Sequence, residues 1–219
     1  MAAVTRAELA SVIDHTLLAP EATAAQVAVV VAEAAALGCA SACISPVFLP
    51  QPAATVPVCT VIGFPSGAHA TAAKVAEAQL AVVGGAAELD VVVHLGAVKA
   101  GEWRAVTADV AAVRRAVPGP LVLKVILESA ALADDELVTA CRCCEEAGAD
   151  FVKTSTGFHA SGGHTVHAVE VMHATVGGRL GIKASGGIRT TEHALAVLAA
   201  GATRIGASAT QAILAGLPA

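Results

Sequence analysis

Three of the five lysines in this chain fall inside apolar runs of the sequence. They are Lys124 in Leu123-Lys124-Val125-Ile126, Lys153 in Phe151-Val152-Lys153-Thr154 and Lys183 in Gly181-Ile182-Lys183-Ala184. Lysine is rarely buried unless it is paired, because removing its ammonium group from water is costly. A neighbouring cation and a partly apolar pocket lower a lysine pKa, and the neutral amine can then attack a carbonyl carbon to form a Schiff base. The placement therefore indicates amine chemistry, with buried salt bridges to Asp90 or Glu128 as the alternative explanation.

Two carboxylates interrupt apolar runs in the same way. Asp90 lies in Glu88-Leu89-Asp90-Val91-Val92-Val93, and Asp14 lies in Val12-Ile13-Asp14-His15-Thr16. Both positions would otherwise carry the aliphatic residues that a strand prefers. We expect each carboxylate to act as a counter-ion or as a proton shuttle for the lysines.

Two glycine-containing segments near the C-terminus could hold an anion. They are Ala184-Ser185-Gly186-Gly187-Ile188-Arg189 and Gly206-Ala207-Ser208. Glycine lets backbone N–H groups approach a phosphate closely, and a helix starting near Ser208 would direct its positive end at it. A glycine pair alone can be no more than a tight turn. Its position after the seventh of eight predicted strands favours a phosphate site.

A repeating unit of strand plus helix must position these groups. Helical patterns end in small residues around Gly38, Gly84, Gly148 and Gly201 and pass directly into apolar runs. Glycine there accepts the left-handed conformation that closes a helix. Helix starts are predicted from capping residues at Thr5, Thr23, Asp134 and Thr190.

The apolar runs predict eight strands, several of them without apolar–polar alternation, as expected of strands buried on both faces. They cover residues 11–15, 39–44, 57–62, 87–93, 121–127, 150–153, 180–183 and 203–205. Eight parallel strands, each followed by a helix, predict an α/β fold, a single (β/α)8 TIM barrel over residues 1–219. An open doubly wound sheet is the alternative. A short helix over residues 5–10 is expected to cover the bottom of the barrel.

The composition excludes several classes of function. A net charge of −5 and 2% aromatic residues provide neither the basic field nor the stacking surfaces that bind nucleic acid. The chain is 56% hydrophobic, but prolines interrupt its longest uncharged stretch, between Glu33 and Lys74, before a membrane span could form. The N-terminus carries charges and no continuous apolar segment of a signal peptide. We therefore expect a cytoplasmic protein with no membrane partner, and the apolar excess predicts a homodimer.

The cysteines and histidines give no clear metal site. The six cysteines lack the spacing of a disulfide framework and are expected to be reduced thiols. Cys141 and Cys144 form a C-x-x-C pair, but no second pair stands at zinc-site spacing. His164 and His167 are expected to lie on a helix facing solvent rather than to bind a metal.

Seven segments together resemble the deoxyribose-phosphate aldolases, over nearly the full chain. They are residues 13–18, 62–67, 88–90, 123–128, 151–158, 182–189 and 204–208, and Val152-Lys153-Thr154-Ser155-Thr156-Gly157 is the most specific part. The resemblance implies a class I aldolase with no metal or other cofactor. Such an enzyme reversibly cleaves 2-deoxy-D-ribose 5-phosphate to D-glyceraldehyde 3-phosphate and acetaldehyde, in deoxyribose phosphate catabolism.

The resemblance also implies a role for each matching residue. Lys153 forms the Schiff base, while Lys183 lowers its pKa and moves protons together with Asp90. The pocket is lined or supported by Cys43, Lys124, Thr156 and Asp14. The phosphate is held, largely by backbone donors, at Gly157, Gly186, Gly187, Ile188, Arg189, Gly206 and Ser208.

The chain departs from the pattern of this family at a few positions. Members often have Asn at His94, Lys at Ala19, Asn or Tyr at Ser45 and a second serine at Ala209, and some carry a tyrosine in a longer C-terminal tail. Two other functions remain open from the residues alone. One is another lysine-dependent barrel enzyme acting on sugar phosphates, and the other is a catalytically silent barrel that binds them.

Overall fold

Eight parallel strands close into a barrel in the computed structural model, which describes residues 4–218. The strands are β1 (Ile13–Leu17), β2 (Ser41–Ile44), β3 (Val58–Ile62), β4 (Glu88–Val92), β5 (Val122–Ile126), β6 (Phe151–Lys153), β7 (Gly181–Ser185) and β8 (Arg204–Ala207). Each strand pairs with the next in the chain, and β8 pairs with β1. The predicted (β/α)8 barrel is therefore confirmed, and the open doubly wound sheet is excluded.

Nine α-helices are present in the described residues. They are α1 (Arg6–Ala10), α2 (Ala24–Leu37), α3 (Thr71–Val83), α4 (Leu95–Lys99), α5 (Trp103–Ala116), α6 (Asp134–Glu146), α7 (Val166–Val176), α8 (Thr191–Ala199) and α9 (Thr210–Ala215). Short 3-10 helices cover Pro46–Phe48 and Ser129–Ala131. Among residues 4–218, no helix is both long and apolar enough to cross a membrane.

One unit departs from the repeat that the sequence predicts. The segment after β2 forms only the 3-10 helix Pro46–Phe48 and not an α-helix. Pro46, Pro50, Pro52 and Pro57 lie in this connection. Proline has no backbone N–H to donate, so this segment cannot continue a helical hydrogen-bond ladder.

Most of the predicted helix signals match the observed helix ends, but Asp134 is the first residue of α6, with Ala133 at the N-cap position, and Gly84 ends α3 with a φ of −73°, outside the left-handed region. Thr5 and Thr23 each accept a hydrogen bond in a capping box, and Gly38 closes α2 with a φ of 72°. The predicted first strand was placed two residues too early, because Ser11 still belongs to the end of α1, where its N–H donates to the carbonyl oxygen of Ala7. α1 packs Leu9 and Ala10 into the main core and leads directly into β1.

The strands carry two kinds of buried residue in alternation. Leu89, Val91, Leu123 and Val125 belong to the main hydrophobic core together with residues of the helices. The residues between them in the chain, such as Asp90 and Lys124, are buried but belong to none of the hydrophobic clusters. Because successive strand side chains point to opposite faces, these charged residues face the barrel interior. The apparent lack of alternation thus conceals an apolar outer face and a charged inner face.

Candidate active site

A connected set of charged side chains fills the interior of the barrel. The set holds four cations and three carboxylates and is called the barrel charge network here; its members are Asp14, Glu88, Asp90, Lys124, Lys153, Lys183 and Arg204. All are buried except Arg204, which is half-buried. Glu88 and Arg204 were not predicted as site residues from the sequence. Each lies two residues before an inward-facing position of its strand, so the alternation of strand side chains could have indicated that it also faces inward.

Asp90 lies at the centre of this network. Its Oδ2 accepts hydrogen bonds from the Nζ atoms of both Lys153 and Lys183, each at 2.6 Å. Its Oδ1 accepts from Nζ of Lys124 at 2.9 Å and from Sγ of Cys59 at 3.2 Å. Strands β4, β5, β6 and β7 thus bring the three strand lysines to one carboxylate.

Asp14 and Glu88 provide the remaining negative charges. Asp14 lies 2.5 Å from Nζ of Lys183 and 2.7 Å from Nη1 of Arg204. Glu88 pairs with Lys124 and, at 3.4 Å, with Arg204. The lysines are therefore engaged in buried salt bridges, as the alternative explanation proposed, but their partners are Asp14, Glu88 and Asp90 and not Glu128.

The network fixes the charge of its inner members. Burial alone would raise the pKa of Asp90, but the three lysines around it hold that pKa well below its ordinary value. Asp14 is shifted in the same direction, since Lys183, Lys124 and Arg204 outweigh its burial and lower its pKa. Burial alone would lower the pKa values of Lys124 and Lys183, yet the adjacent carboxylates outweigh it and raise both. These four groups therefore stay charged at neutral pH.

Two thiols lie beside the network. Cys43 and Cys59 are paired across β2 and β3, and their Sγ atoms and a carboxylate oxygen of Asp90 all lie within 4.8 Å of one another. Burial raises the pKa of Cys59, whereas the contact with Cys59 lowers the pKa of Cys43. Lys124 donates to Sγ of Cys59 at 3.4 Å, so a metal cation held here would meet nearby ammonium groups. All six cysteines of the chain are buried with free thiols, as predicted.

A cavity of about 390 Å³ opens at the C-terminal ends of the strands. Lys153 is the only member of the barrel charge network that borders it. Asp90 and Lys183 lie behind Lys153 and are fully buried. Of the pocket residues implied by the resemblance, only Thr156 lies on the cavity wall, whereas Cys43, Lys124 and Asp14 lie deeper in the barrel, because their strand positions are below the mouth.

Every residue assigned to the phosphate lines this cavity. They are Gly157, Gly186, Gly187, Ile188, Arg189, Gly206 and Ser208. Gly186 and Gly187 have φ values of 91° and 88°, a left-handed conformation that favours glycine. Gly157, Gly187 and Ser208 are exposed residues, and within the described part of the chain their backbone N–H groups donate to no protein acceptor. These N–H groups can therefore donate to an anion in the cavity.

His164 holds the glycine loop in place, which differs from its expected position on a helix facing solvent. The helix α7 begins only at Val166, capped by Thr165, so His164 lies in the preceding loop and is half-buried. Its backbone N–H and Nδ1 lie 3.2 and 2.7 Å from the carbonyl oxygen of Gly186. His167, by contrast, is exposed on α7 and pairs with Asp134.

Glu128 orients one wall of the cavity and was not expected there. Its carboxylate accepts hydrogen bonds from the hydroxyl group of Thr156 at 2.6 Å and from the Thr156 N–H at 3.2 Å. Glu128 has a φ of 57°, the one positive value at a non-glycine residue in the described chain. Such a conformation costs free energy, and it clusters at functional sites.

Two of the family departures have a visible structural setting. Nδ1 of His94 accepts a hydrogen bond from the Ala97 N–H at 2.8 Å and so caps α4, which is a role that asparagine also performs. Ala19 lies on the cavity wall next to Pro20 and Glu21.

Comparison with known proteins identifies close relatives of this chain. A family model described as DeoC/LacD family aldolase matches residues 9–217. A deoxyribose-phosphate aldolase of Nocardia farcinica is 60% identical, with 98% of this chain and 96% of the relative covered. One from Mycobacterium bovis is 55% identical, with 97% of each covered.

Solved structures of aldolases also superpose closely on this chain. An aldolase called QR15 superposes with a TM-score of 0.91 at 38% identity, over 95% of each chain. A deoxyribose-phosphate aldolase from Aeropyrum pernix, described as having a unique tetrameric structure, superposes with a TM-score of 0.90 at 37% identity, over 97% of this chain and 92% of the other.

Proposed function

This chain belongs to the DeoC/LacD family of aldolases, which are lyases, and we propose that it reversibly cleaves 2-deoxy-D-ribose 5-phosphate to D-glyceraldehyde 3-phosphate and acetaldehyde. Relatives with the name deoxyribose-phosphate aldolase, at 55–60% identity over nearly the whole chain, support this substrate. One observation carries the proposal: a single lysine of the buried network, Lys153, reaches a cavity whose wall holds a glycine loop with unpaired N–H groups.

The first step forms a Schiff base on Lys153. Asp90 Oδ2, 2.6 Å from Nζ, accepts the proton that Lys153 must lose. The neutral amine attacks C1 of the open-chain sugar, and the carbinolamine that results loses water to give a protonated imine. Asp90 can return the proton to the departing hydroxyl group, which is the ordinary use of a positioned acid–base group.

The second step breaks the carbon–carbon bond. The C3 hydroxyl group loses its proton, the C2–C3 bonding pair moves toward the iminium nitrogen, and D-glyceraldehyde 3-phosphate leaves. The remaining enamine takes up a proton at C2, and water then hydrolyses the imine to release acetaldehyde and the free amine. The iminium group is itself the electron sink, so the chemistry calls for no metal or other cofactor.

Lys183 serves as a fixed positive charge in this scheme. It stays protonated between Asp14 and Asp90, and it shares Oδ2 of Asp90 with Lys153. A neighbouring cation disfavours the charged form of an amine and so lowers its pKa. Lys183 therefore promotes the neutral form of Lys153, and Asp90 carries the protons between Lys153 and the substrate.

The phosphate lies against the glycine loop at the other side of the cavity. Gly157, Gly187 and Ser208 offer backbone N–H groups, and Arg189 lies exposed on the same wall. A phosphate held at this loop leaves the sugar to extend through the cavity, with C1 toward Lys153. We also propose that residues 1–219 form one catalytic domain, which acts as a homodimer in the cytoplasm, in deoxyribose phosphate catabolism.

Reductive trapping tests the covalent step. Borohydride added with acetaldehyde should reduce the imine to a stable ethyl-lysine, and peptide mapping should place this label on Lys153. The Lys153→Arg variant should fold but take no label, because a guanidinium keeps its charge and cannot become a nucleophile. A label on Lys183 would reverse the roles of the two lysines. Folded protein that binds 2-deoxyribose 5-phosphate without any label would indicate the catalytically silent barrel.

A further inference from the structure

We propose that Arg204 and Glu88, which do not reach the cavity, set the protonation state of Lys153 by fixing the net charge of the barrel charge network. Arg204 is the first residue of β8 and Glu88 the first residue of β4, whereas Lys153 is the last residue of β6. Arg204 and Glu88 therefore begin their strands away from the cavity, whereas Lys153 ends its strand at the cavity wall. The proposal rests on the proposed function, since Lys153 must be neutral to attack a carbonyl group.

A continuous series of contacts joins Arg204 to Lys153. Arg204 Nη1 donates to Oδ1 of Asp14 at 2.7 Å, and Asp14 Oδ2 lies 2.5 Å from Nζ of Lys183. Lys183 and Lys153 then share Oδ2 of Asp90. In a buried environment charges are weakly screened, so each member responds to the charge of the next.

Glu88 joins the same network from the other side. It contacts Arg204 at 3.4 Å and pairs with Lys124. Lys124 in turn donates to Oδ1 of Asp90 at 2.9 Å, and Oδ2 of that carboxylate holds Lys153. Glu88 therefore influences Lys153 with the opposite sign to Arg204.

Counting charges identifies Lys153 as the surplus cation. The carboxylates of Asp14, Glu88 and Asp90 are balanced by Lys124, Lys183 and Arg204. Lys153 adds a fourth positive charge, and an uncompensated charge in a buried site is costly. Its ammonium group has a single carboxylate partner among the described residues, and shares that partner's Oδ2 with Lys183. Release of the Lys153 proton from the network, by way of Asp90, makes the network neutral.

Other titratable groups near Lys153 do not alter this count. Cys43 and Cys59 complete the inner ring from β2 and β3, and the variants below leave both unchanged. The carboxylate of Glu128 accepts hydrogen bonds from Thr156, forms no ion pair with the described members of the network, and is left unchanged in the variants below. Glu21 and Arg189 are exposed at the cavity, where water screens them.

The test is the pH dependence of imine formation in charge variants. The rate of imine formation should fall at low pH, where Lys153 is protonated, and this part of the pH profile is called the acid limb. Arg204→Met removes a cation, which favours the charged form of Lys153. The acid limb should therefore move up by about one pH unit, which is the lower end of the effect of a neighbouring charge. Glu88→Gln removes an anion and should move the limb down by about the same amount. The double variant Arg204→Met/Glu88→Gln should return the limb close to that of the unmodified chain.

Matched controls separate charge from packing. Arg204→Lys keeps the positive charge and should keep the limb in place. Arg114→Met removes an arginine outside the barrel, where it binds Asp150 and backbone carbonyl groups, and should also leave the limb in place. The readout is the rate at which acetaldehyde and borohydride label Lys153 at each pH, with folding checked by thermal unfolding.

The outcomes distinguish the two proposals. If the unmodified chain takes no label on Lys153 at any pH, the proposed covalent mechanism fails. A second outcome is that the unmodified chain is labelled on Lys153, but the acid limbs of Arg204→Met and Glu88→Gln either coincide with its own or both move in the same direction. That outcome would overturn the role of net charge. Should Arg204→Met fail to fold, Glu88→Gln alone still decides, because an unchanged or raised limb contradicts the proposal.

Discussion

Lys153 and Lys183 donate to the same oxygen, Oδ2 of Asp90, each at 2.6 Å. Their two nitrogens therefore lie no more than twice that distance apart, so the positive charge of one bears directly on the other. Asp90 also forms a salt bridge with Lys124, so its carboxylate contacts three lysines. This arrangement makes Asp90 both the anchor of the buried network and the proton acceptor nearest to Lys153.

Removing the charge of Lys183 should shift the activity to higher pH. Lys183→Met deletes a cation beside Lys153, which makes the charged form of that amine less costly, so less of the amine is neutral at a given pH. The acid limb of kcat/KM should rise by about 1–3 pH units. Lys99→Met, which removes an exposed lysine paired with Glu136, is the matched control and should leave the profile unchanged. An unshifted limb in active Lys183→Met would contradict the role of Lys183.

A negative charge at Ser208 should weaken binding of the phosphorylated substrate. Ser208→Asp places a carboxylate on the cavity wall, and the KM for 2-deoxyribose 5-phosphate should rise by about tenfold or more, equivalent to roughly 1.4 kcal/mol. Activity toward unphosphorylated 2-deoxyribose should change little. Ser161→Asp, at an exposed position that does not line the cavity, controls for the added charge. Equal losses for both substrates would indicate damage to the barrel rather than to a phosphate site.

Glu128 and Thr156 should behave as a coupled pair. Because Glu128 accepts two hydrogen bonds from Thr156, Glu128→Ala and Thr156→Val should each raise the activation free energy for cleavage. The double variant should be little worse than either single one, with a coupling free energy of about 1.5–3 kcal/mol. The measurement is kcat/KM for the four proteins of the cycle. Additive losses would show that Glu128 does not act through Thr156.

Chelation should leave the enzyme active. In the proposed mechanism the iminium group on Lys153 supplies the electron sink, so dialysis against EDTA should not change kcat. The assay is the initial rate of cleavage before and after dialysis, with zinc and magnesium added back in separate samples. Loss of activity that a divalent metal restores would replace the Schiff-base mechanism with a metal-dependent one.

A second buried ion pair should govern stability rather than catalysis. Lys74 on α3 donates to Asp109 at 2.7 Å and to the carbonyl oxygen of Val92 at 2.9 Å, and its side chain is fully buried. Lys74→Met should lower the free energy of unfolding by about 3–5 kcal/mol, because it leaves Asp109 buried without its partner. Lys74→Met/Asp109→Leu should recover part of that loss in urea unfolding. A single variant as stable as the unmodified chain would contradict this account.

The sequence was sufficient for features that depend on local pattern. Strand positions, the capping threonines and the glycine helix ends follow from neighbouring residues, and the barrel follows from their repetition. The three lysines were visible because a charged residue inside an apolar run has no local explanation. Each of these signals lies within a few residues of the feature that it predicts.

Other features depended on contacts between distant strands. Cys59 and Glu88 join the site only because of the register of β2 with β3 and of β4 with β5, which the local pattern does not specify. The left-handed conformation of Glu128 is imposed by its surroundings, since nothing in that residue type favours it. His164 was misplaced because the predicted helix included it, whereas the Thr165 cap starts α7 only at Val166.

The alternation of apolar outer and charged inner residues also bears on how the barrel reaches the correct register while it folds. A slip of one residue in β5 would exchange Lys124 for Leu123 or Val125, and it would press an ammonium group into the apolar layer beneath the helices. Such an error would leave both the cation and its carboxylates unpaired, at a cost of several kcal/mol. The same charges that we propose to activate Lys153 thereby disfavour misaligned strands, so in this proposal selection for catalysis and selection for faithful folding act on the same residues.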